Sequence, residues 1–201
     1  MRKIIKSASY IFHPLWMPIL GTVFYFVVTP RFFPPNLIKA KLLAIAITTL
    51  FIPVVFYFLL QNLGKASSPF LERVEERRWP LFFYCLLIAL NLYQILNRFN
   101  FPALYYFFVG ILLSAITSFL LAWLRFKISL HMIGMGGILM FIIALSIYFH
   151  VNLIYFIAFT VLVTGLTASS RLENNSHHWI EIVIGFFIGL LPQLIVLNYW
   201  L

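Results

Sequence analysis

The chain has 201 residues, of which 63% are hydrophobic and only 9% charged, and 14 Lys and Arg against 5 Asp and Glu leave a net charge of +9. A soluble domain is about half apolar and about a quarter charged, so this composition excludes an ordinary soluble protein and a disordered one alike. The basic residues lie between apolar runs, which points to lipid headgroups or anionic substrates as partners and not to nucleic acid.

The start, Met1-Arg2-Lys3-Ile4-Ile5-Lys6, resembles the charged end of a signal peptide. No small-x-small cleavage site follows the first apolar run. That run carries His13, Pro14 and Pro18, so it reads as a retained membrane segment. A span needs about 20 mostly apolar residues. The segments 12–29, 42–61, 79–96, 102–124, 131–149, 151–168 and 179–200 meet that need. A single helix over 131–168 is too long for a bilayer, so His150 and Asn152 mark a tight hairpin. Lipid offers no partner for open backbone groups, which makes every segment a predicted helix. The expected fold is therefore all-α, a polytopic transmembrane helix bundle of about six to seven spans, with 1–201 as a single integral membrane domain. Cys85 is the one cysteine, so an intramolecular disulfide and a cysteine metal site are excluded.

Charge placement along these spans carries more information than the spans themselves. Lys65, Glu72, Arg73, Glu75, Glu76, Arg77 and Arg78 fall in 62–78. Arg125, Lys127 and His131 fall in 125–131, and Arg171, Glu173, His177, His178 and Glu181 in 170–181. Two spans separate each cluster from the next, so all three share one membrane face. Solvated loops alone would scatter charge over both faces; here all five acids gather on one. That face is the predicted site. The opposite face receives only Arg31, Lys39, Lys41 and Arg98. Once the cations beside the predicted site are set aside, the positive-inside rule leaves its sidedness open.

The stretch Ser170-Arg171-Leu172-Glu173-Asn174-Asn175-Ser176-His177-His178-Trp179-Ile180-Glu181 reads S-R-x5-H-x3-E. His177 and Glu181 share a helix face at i,i+4. A carboxylate there can accept from one ring nitrogen and leave the other to attack. Arg171 offers a planar fork that matches phosphate. Lys127-Ile128-Ser129-Leu130-His131 adds a cation, a hydroxyl and a second histidine. Two histidines, an acid and several cations are what cleavage of a phosphate ester through a phosphohistidine requires.

These residues resemble the type 2 phosphatidic acid phosphatase superfamily, the lipid phosphate phosphatases, in the form of a divergent bacterial-type member. The family motifs are K-x6-R-P, P-S-G-H and S-R-x5-H-x3-D. The third is matched by Ser170, Arg171 and His177, with Glu181 in place of Asp; the second by Ser129 and His131; the first by Arg77-Arg78-Trp79-Pro80, which lacks the lysine. The resemblance covers about 72–190. It implies His177 as nucleophile, Glu181 as its orienter and His131 as general acid. Arg171, Ser129, Arg78, Arg77 and Ser170 would bind phosphate, and Lys127 would stand in for the missing lysine. It further implies metal-independent chemistry without a cofactor, a lipid phosphate substrate in contact with membrane lipids, and a bacterial cytoplasmic membrane. The alternative is a non-catalytic or transport protein that binds an anionic lipid in the same cationic pocket.

Other residues have plainer readings. His13 is expected at the interface end of the first span, the alternative being that with Pro14 and Pro18 it forms a kinked helix near a substrate path. Asn91 and Gln94 are expected to hydrogen-bond between helices, and Gly134, Gly136, Gly137, Gly185 and Gly189 to allow close helix packing. Glu72, Glu75 and Glu76 interleave with arginines as a salt-bridged turn.

Overall fold

A computed structural model describes residues 11–68, 71 and 73–201; the charged start at Met1–Lys6 and the acid Glu72 lie outside these. Seven helical stretches, with no strand among the described residues, form the bundle. They are α1 (Met17–Val28), α2 (Pro35–Asn62), α3 (Arg78–Leu90), α4 (Pro102–Trp123), α5 (Leu130–Phe149), α6 (Ile154–Glu173) and α7 (Trp179–Val196). Five of them, α2 and α4 to α7, are long and apolar enough to cross a membrane, and α1 with the turn before it is a shorter apolar helix. Val27, Phe32 and Tyr155 are 74%, 85% and 87% exposed. In water such a surface would drive aggregation; in lipid it is the solvated face.

Proline sets several starts. Pro35 and Pro102 occupy first-turn positions, where a missing N–H costs nothing. Pro35 also starts α2 well before the predicted 42, so Lys39 and Lys41 lie on the helix and not ahead of it. Lys41 reaches from there to donate to the Ile95 carbonyl and sits over the Phe101 ring, an apolar stem with a polar tip.

Two helices carry π-turns, Ile47–Phe51 within α2 and Asn91–Ile95 continuing α3. They are joined directly: Thr48 Oγ1 donates to Asn91 Oδ1 at 2.9 Å, and Asn91 Nδ2 donates to the Leu87 carbonyl at 2.7 Å. Asn91 thus makes the interhelical bond read from the sequence, whereas Gln94 is exposed.

The centre of the bundle is α5, which packs most closely on α7. The two backbones meet because both carry glycine. A Cβ on Gly189 would lie 2.7 Å from the Ile133 carbonyl carbon, and one on Gly185 2.8 Å from the Ser129 oxygen. The hairpin at 149–153 also forms. His150 takes a left-handed φ of 54°, and Ser146 Oγ donates to the Val151 carbonyl at 2.7 Å.

Candidate functional site

The alternation of these helices brings five polar residues to one end of the bundle. His13 comes from the turn before α1, Arg77 from the turn before α3, and His131 from the first turn of α5. Arg171 comes from the last turn of α6 and His177 from the loop before α7. All five line one cavity of about 500 Å³.

The pairing that orients His177 is explicit. Its Nδ1 lies 2.7 Å from Glu181 Oε2, and the same carboxylate oxygen accepts the His178 N–H at 3.3 Å. His178 and Glu181 form a capping box at the start of α7, so one carboxylate fixes both the helix terminus and the imidazole. Since the carboxylate accepts, Nδ1 carries the proton and Nε2 keeps its lone pair. His177 is only 6% exposed. Burial first, then the charges of Arg77, Arg171 and Lys127 with His131 beside them, push its pKa from 6.5 down to about 2. The ring is therefore neutral at physiological pH.

Arg77 is the inward-facing arginine of its pair, 3% exposed. Its Nε donates to the Leu71 carbonyl at 2.8 Å and its Nη1 to the Ile128 carbonyl at 2.6 Å. These bonds tie the segment before α3 to the segment before α5. Burial, then Arg171, lower its pKa to about 10 against the pull of Glu181, and it stays cationic.

Other predicted site residues are placed differently. Arg78 does not reach the cavity. Its Nε donates to the Ala122 carbonyl at 3.3 Å and its guanidinium lies 4.7 Å from the Trp123 ring. Consecutive helical residues point about 100° apart, so one arginine of the pair turns in and the other out. Ser129 and Ser170 are fully buried but do not line the cavity. The Ser129 N–H donates to the Glu181 carbonyl at 3.3 Å, pinning the start of α5 to α7. The Ser129 hydroxyl has no hydrogen-bond partner among the described residues. Lys127 is half-buried and outside the lining, although its charge acts on His177.

Two features go beyond the plainer sequence reading. His13 meets His131 edge to face, with ring centroids 5.2 Å apart. Gln193, Ser114 and Ser118 add polar groups deeper in the cavity, where Gln193 Nε2 donates to the Phe107 carbonyl at 2.9 Å. Pro14 and Pro18 after His13 marked a kink there, but not the contact with His131. The remaining lining is largely apolar, with Met17, Pro53, Leu81 and Ile111 among it. On α4 it runs from Ser118 to Phe107, a depth of about 16 Å at the helical rise. Among the described residues no group of three or more His, Cys, Asp or Glu is gathered as a metal site.

Comparison with known protein families, with characterised proteins and with solved structures finds no match. The fold and the site nevertheless define a class. This is a membrane helix bundle in which buried histidines and cations meet at the charged end of an otherwise apolar cavity.

Proposed function

We propose that the protein is an integral membrane phosphatase that removes the terminal phosphate from a lipid phosphate or diphosphate. The observation that carries this reading is the His177–Glu181 pair at 2.7 Å, set beside Arg77, Arg171 and His131 on a cavity whose body is apolar. The charged end suits a phosphate and the body suits a hydrocarbon chain.

In this reading His177 Nε2 attacks phosphorus while the bond to the leaving oxygen breaks. Protonated His131 gives that oxygen its proton, and the lipid leaves as an alcohol or a monophosphate. Water then attacks the phosphohistidine. His131 takes the water's proton, inorganic phosphate departs and both rings are restored. Glu181 stabilises the positive charge that develops on His177, and Arg171 and Arg77 stabilise the equatorial oxygens. The reading also includes the bacterial cytoplasmic membrane that the motif resemblance implies.

The test is release of inorganic phosphate from phosphatidic acid and prenyl diphosphate by purified protein in detergent, against His177→Ala. Release that survives the substitution overturns the reading. A second reading, an anionic-lipid binder without catalysis, is favoured by Arg78, Ser129 and Ser170 lying outside the cavity. Saturable lipid phosphate binding with no release would establish it.

A further inference from the structure

Resting on the reading of this cavity as a phosphate site, we infer that His13 is a third histidine of the site, whose Nε2–H donates a hydrogen bond to the bound phosphate group.

The argument starts from the tautomer. His13 caps the turn Pro14–Trp16, its Nδ1 accepting the Leu15 N–H at 3.4 Å. A ring nitrogen that accepts carries no proton, so a neutral His13 has its hydrogen on Nε2. Nδ1 is occupied by the Leu15 N–H, and Nε2 lies at the far edge of the ring. That ring lines the cavity together with His131, Arg171 and His177. Its position is held from behind. The turn rests on α5, where a Cβ at Gly134 would come 2.8 Å from Met17 Cγ and 3.5 Å from Pro14 Cα.

Neutrality is also what this place demands. His131 lies 5.2 Å away, centroid to centroid, and must carry a proton to act as the acid. A second imidazolium so close would repel it. Burial, then Arg171, push the His13 pKa down to about 4, so His13 offers a hydrogen without adding a charge. A phosphate oxygen accepting from it gains a charge-assisted bond.

The alternative for His13 is a helix cap and nothing more, and a pair of substitutions separates the two. Serine is a favoured cap residue but is too short to reach the cavity; His13→Ser keeps the cap and removes the donor. His13→Gln retains an N–H on a side chain of similar reach. Orthovanadate binding to purified protein in detergent is measured by isothermal titration, alongside the unfolding temperature. His13→Ser is expected to unfold near the wild-type temperature yet bind vanadate about 10-fold more weakly, the scale of a hydrogen bond to a charged group. His13→Gln is expected to recover most of that loss. Equal vanadate affinity for wild type and His13→Ser overturns the inference alone. A His13→Ser protein that loses affinity only in step with its unfolding temperature, with no recovery in His13→Gln, overturns it too. A wild-type protein that binds neither vanadate nor inorganic phosphate overturns this inference together with the phosphate site on which it rests.

Discussion

Alanine at Gly189 tests whether the close approach of α5 and α7 is what sets the geometry of the proposed phosphatase site. The new Cβ would stand 2.7 Å from the Ile133 carbonyl carbon and 2.9 Å from the Gly137 nitrogen. Both are backbone atoms and cannot swing aside. The Ile133 carbonyl oxygen lies closer still, so relief to an ordinary contact of 3.4 Å or more requires the helices to part by more than the 0.7 Å (3.4 minus 2.7 Å) that the carbonyl carbon alone demands. Such overpacking costs about 1–3 kcal/mol. The same displacement separates His131 on α5 from the His177–Glu181 pair that α7 holds, and misplacement of about 1 Å can cost roughly 10²-fold in rate. Gly165→Ala is the control: nothing lies within 4 Å of its added Cβ, and the exposed helical site gains about 1 kcal/mol of helix propensity. Gly137→Ala falls between them, with its nearest neighbour at 3.6 Å. Unfolding temperature in detergent and phosphate release from a short-chain phosphatidic acid are measured for all three. The expected order is Gly189 most damaging, Gly137 mild, Gly165 neutral or better. Wild-type stability and rate in Gly189→Ala would refute the reasoning.

Glu181→Gln keeps an amide able to serve the capping box but removes the charge beside His177; turnover is expected to fall far more than KM, and unchanged turnover in a steady-state assay would remove Glu181 from the orienting role. Lys127→Ala removes a cation that lies outside the cavity lining but acts on His177, so turnover is expected to fall by less than the roughly 10²-fold of a lost oxyanion contact, and Arg125→Ala, an exposed position, is expected to lower it less again; equal small effects on one lipid phosphate would take Lys127 out of the site. Stability is expected to fall in acid. His177 and His13 sit at about 2 and about 4 when folded, against an ordinary 6.5, so between those values the unfolded chain binds more protons. Their contribution is complete above pH 6.5 and is lost as pH drops below it, by up to about 1.4 kcal/mol per pH unit for each ring. Thermal unfolding at pH 7.5 and 5 in detergent checks this: a smaller difference in His177→Asn supports the assignment, and a pH-independent wild type contradicts it.

The histidine–acid pair was legible by its spacing but not by the shared helix face that the spacing suggested: His177 lies in the loop before α7, and Glu181, at the third helical position, reaches back past the His178 cap to its ring at 2.7 Å. The glycines were legible for a similar reason: in an apolar span, small residues on one face mean close approach. The choice between Arg77 and Arg78 was not. Adjacent residues on one helical turn diverge, and only the position of the α3 start relative to α4 decides which guanidinium meets Ile128 and which meets Ala122. His13 was hidden for another reason. A histidine beside prolines has no periodicity, and its role depends on where an irregular turn docks on α5. The early start of α2 escaped because charge marks a span's end by composition, whereas a long lysine stem lets a helix continue through it.

The two π-turns have a consequence for how the chain tolerates changes in length. A π-turn holds about one residue more than the α-turn it replaces. Removing one residue from an ordinary helix rotates everything beyond it by about 100°; in α4 that would carry Ser114 and Ser118 away from the cavity. Removing Phe51, which is 57% exposed in the π-turn of α2, instead lets the turn tighten to α geometry. Leu50 and Pro53 then keep the faces they show to the cavity. Single-residue deletions across α2 should thus be survivable only within 47–51, so that a helix crossing the membrane contains its own site for shortening.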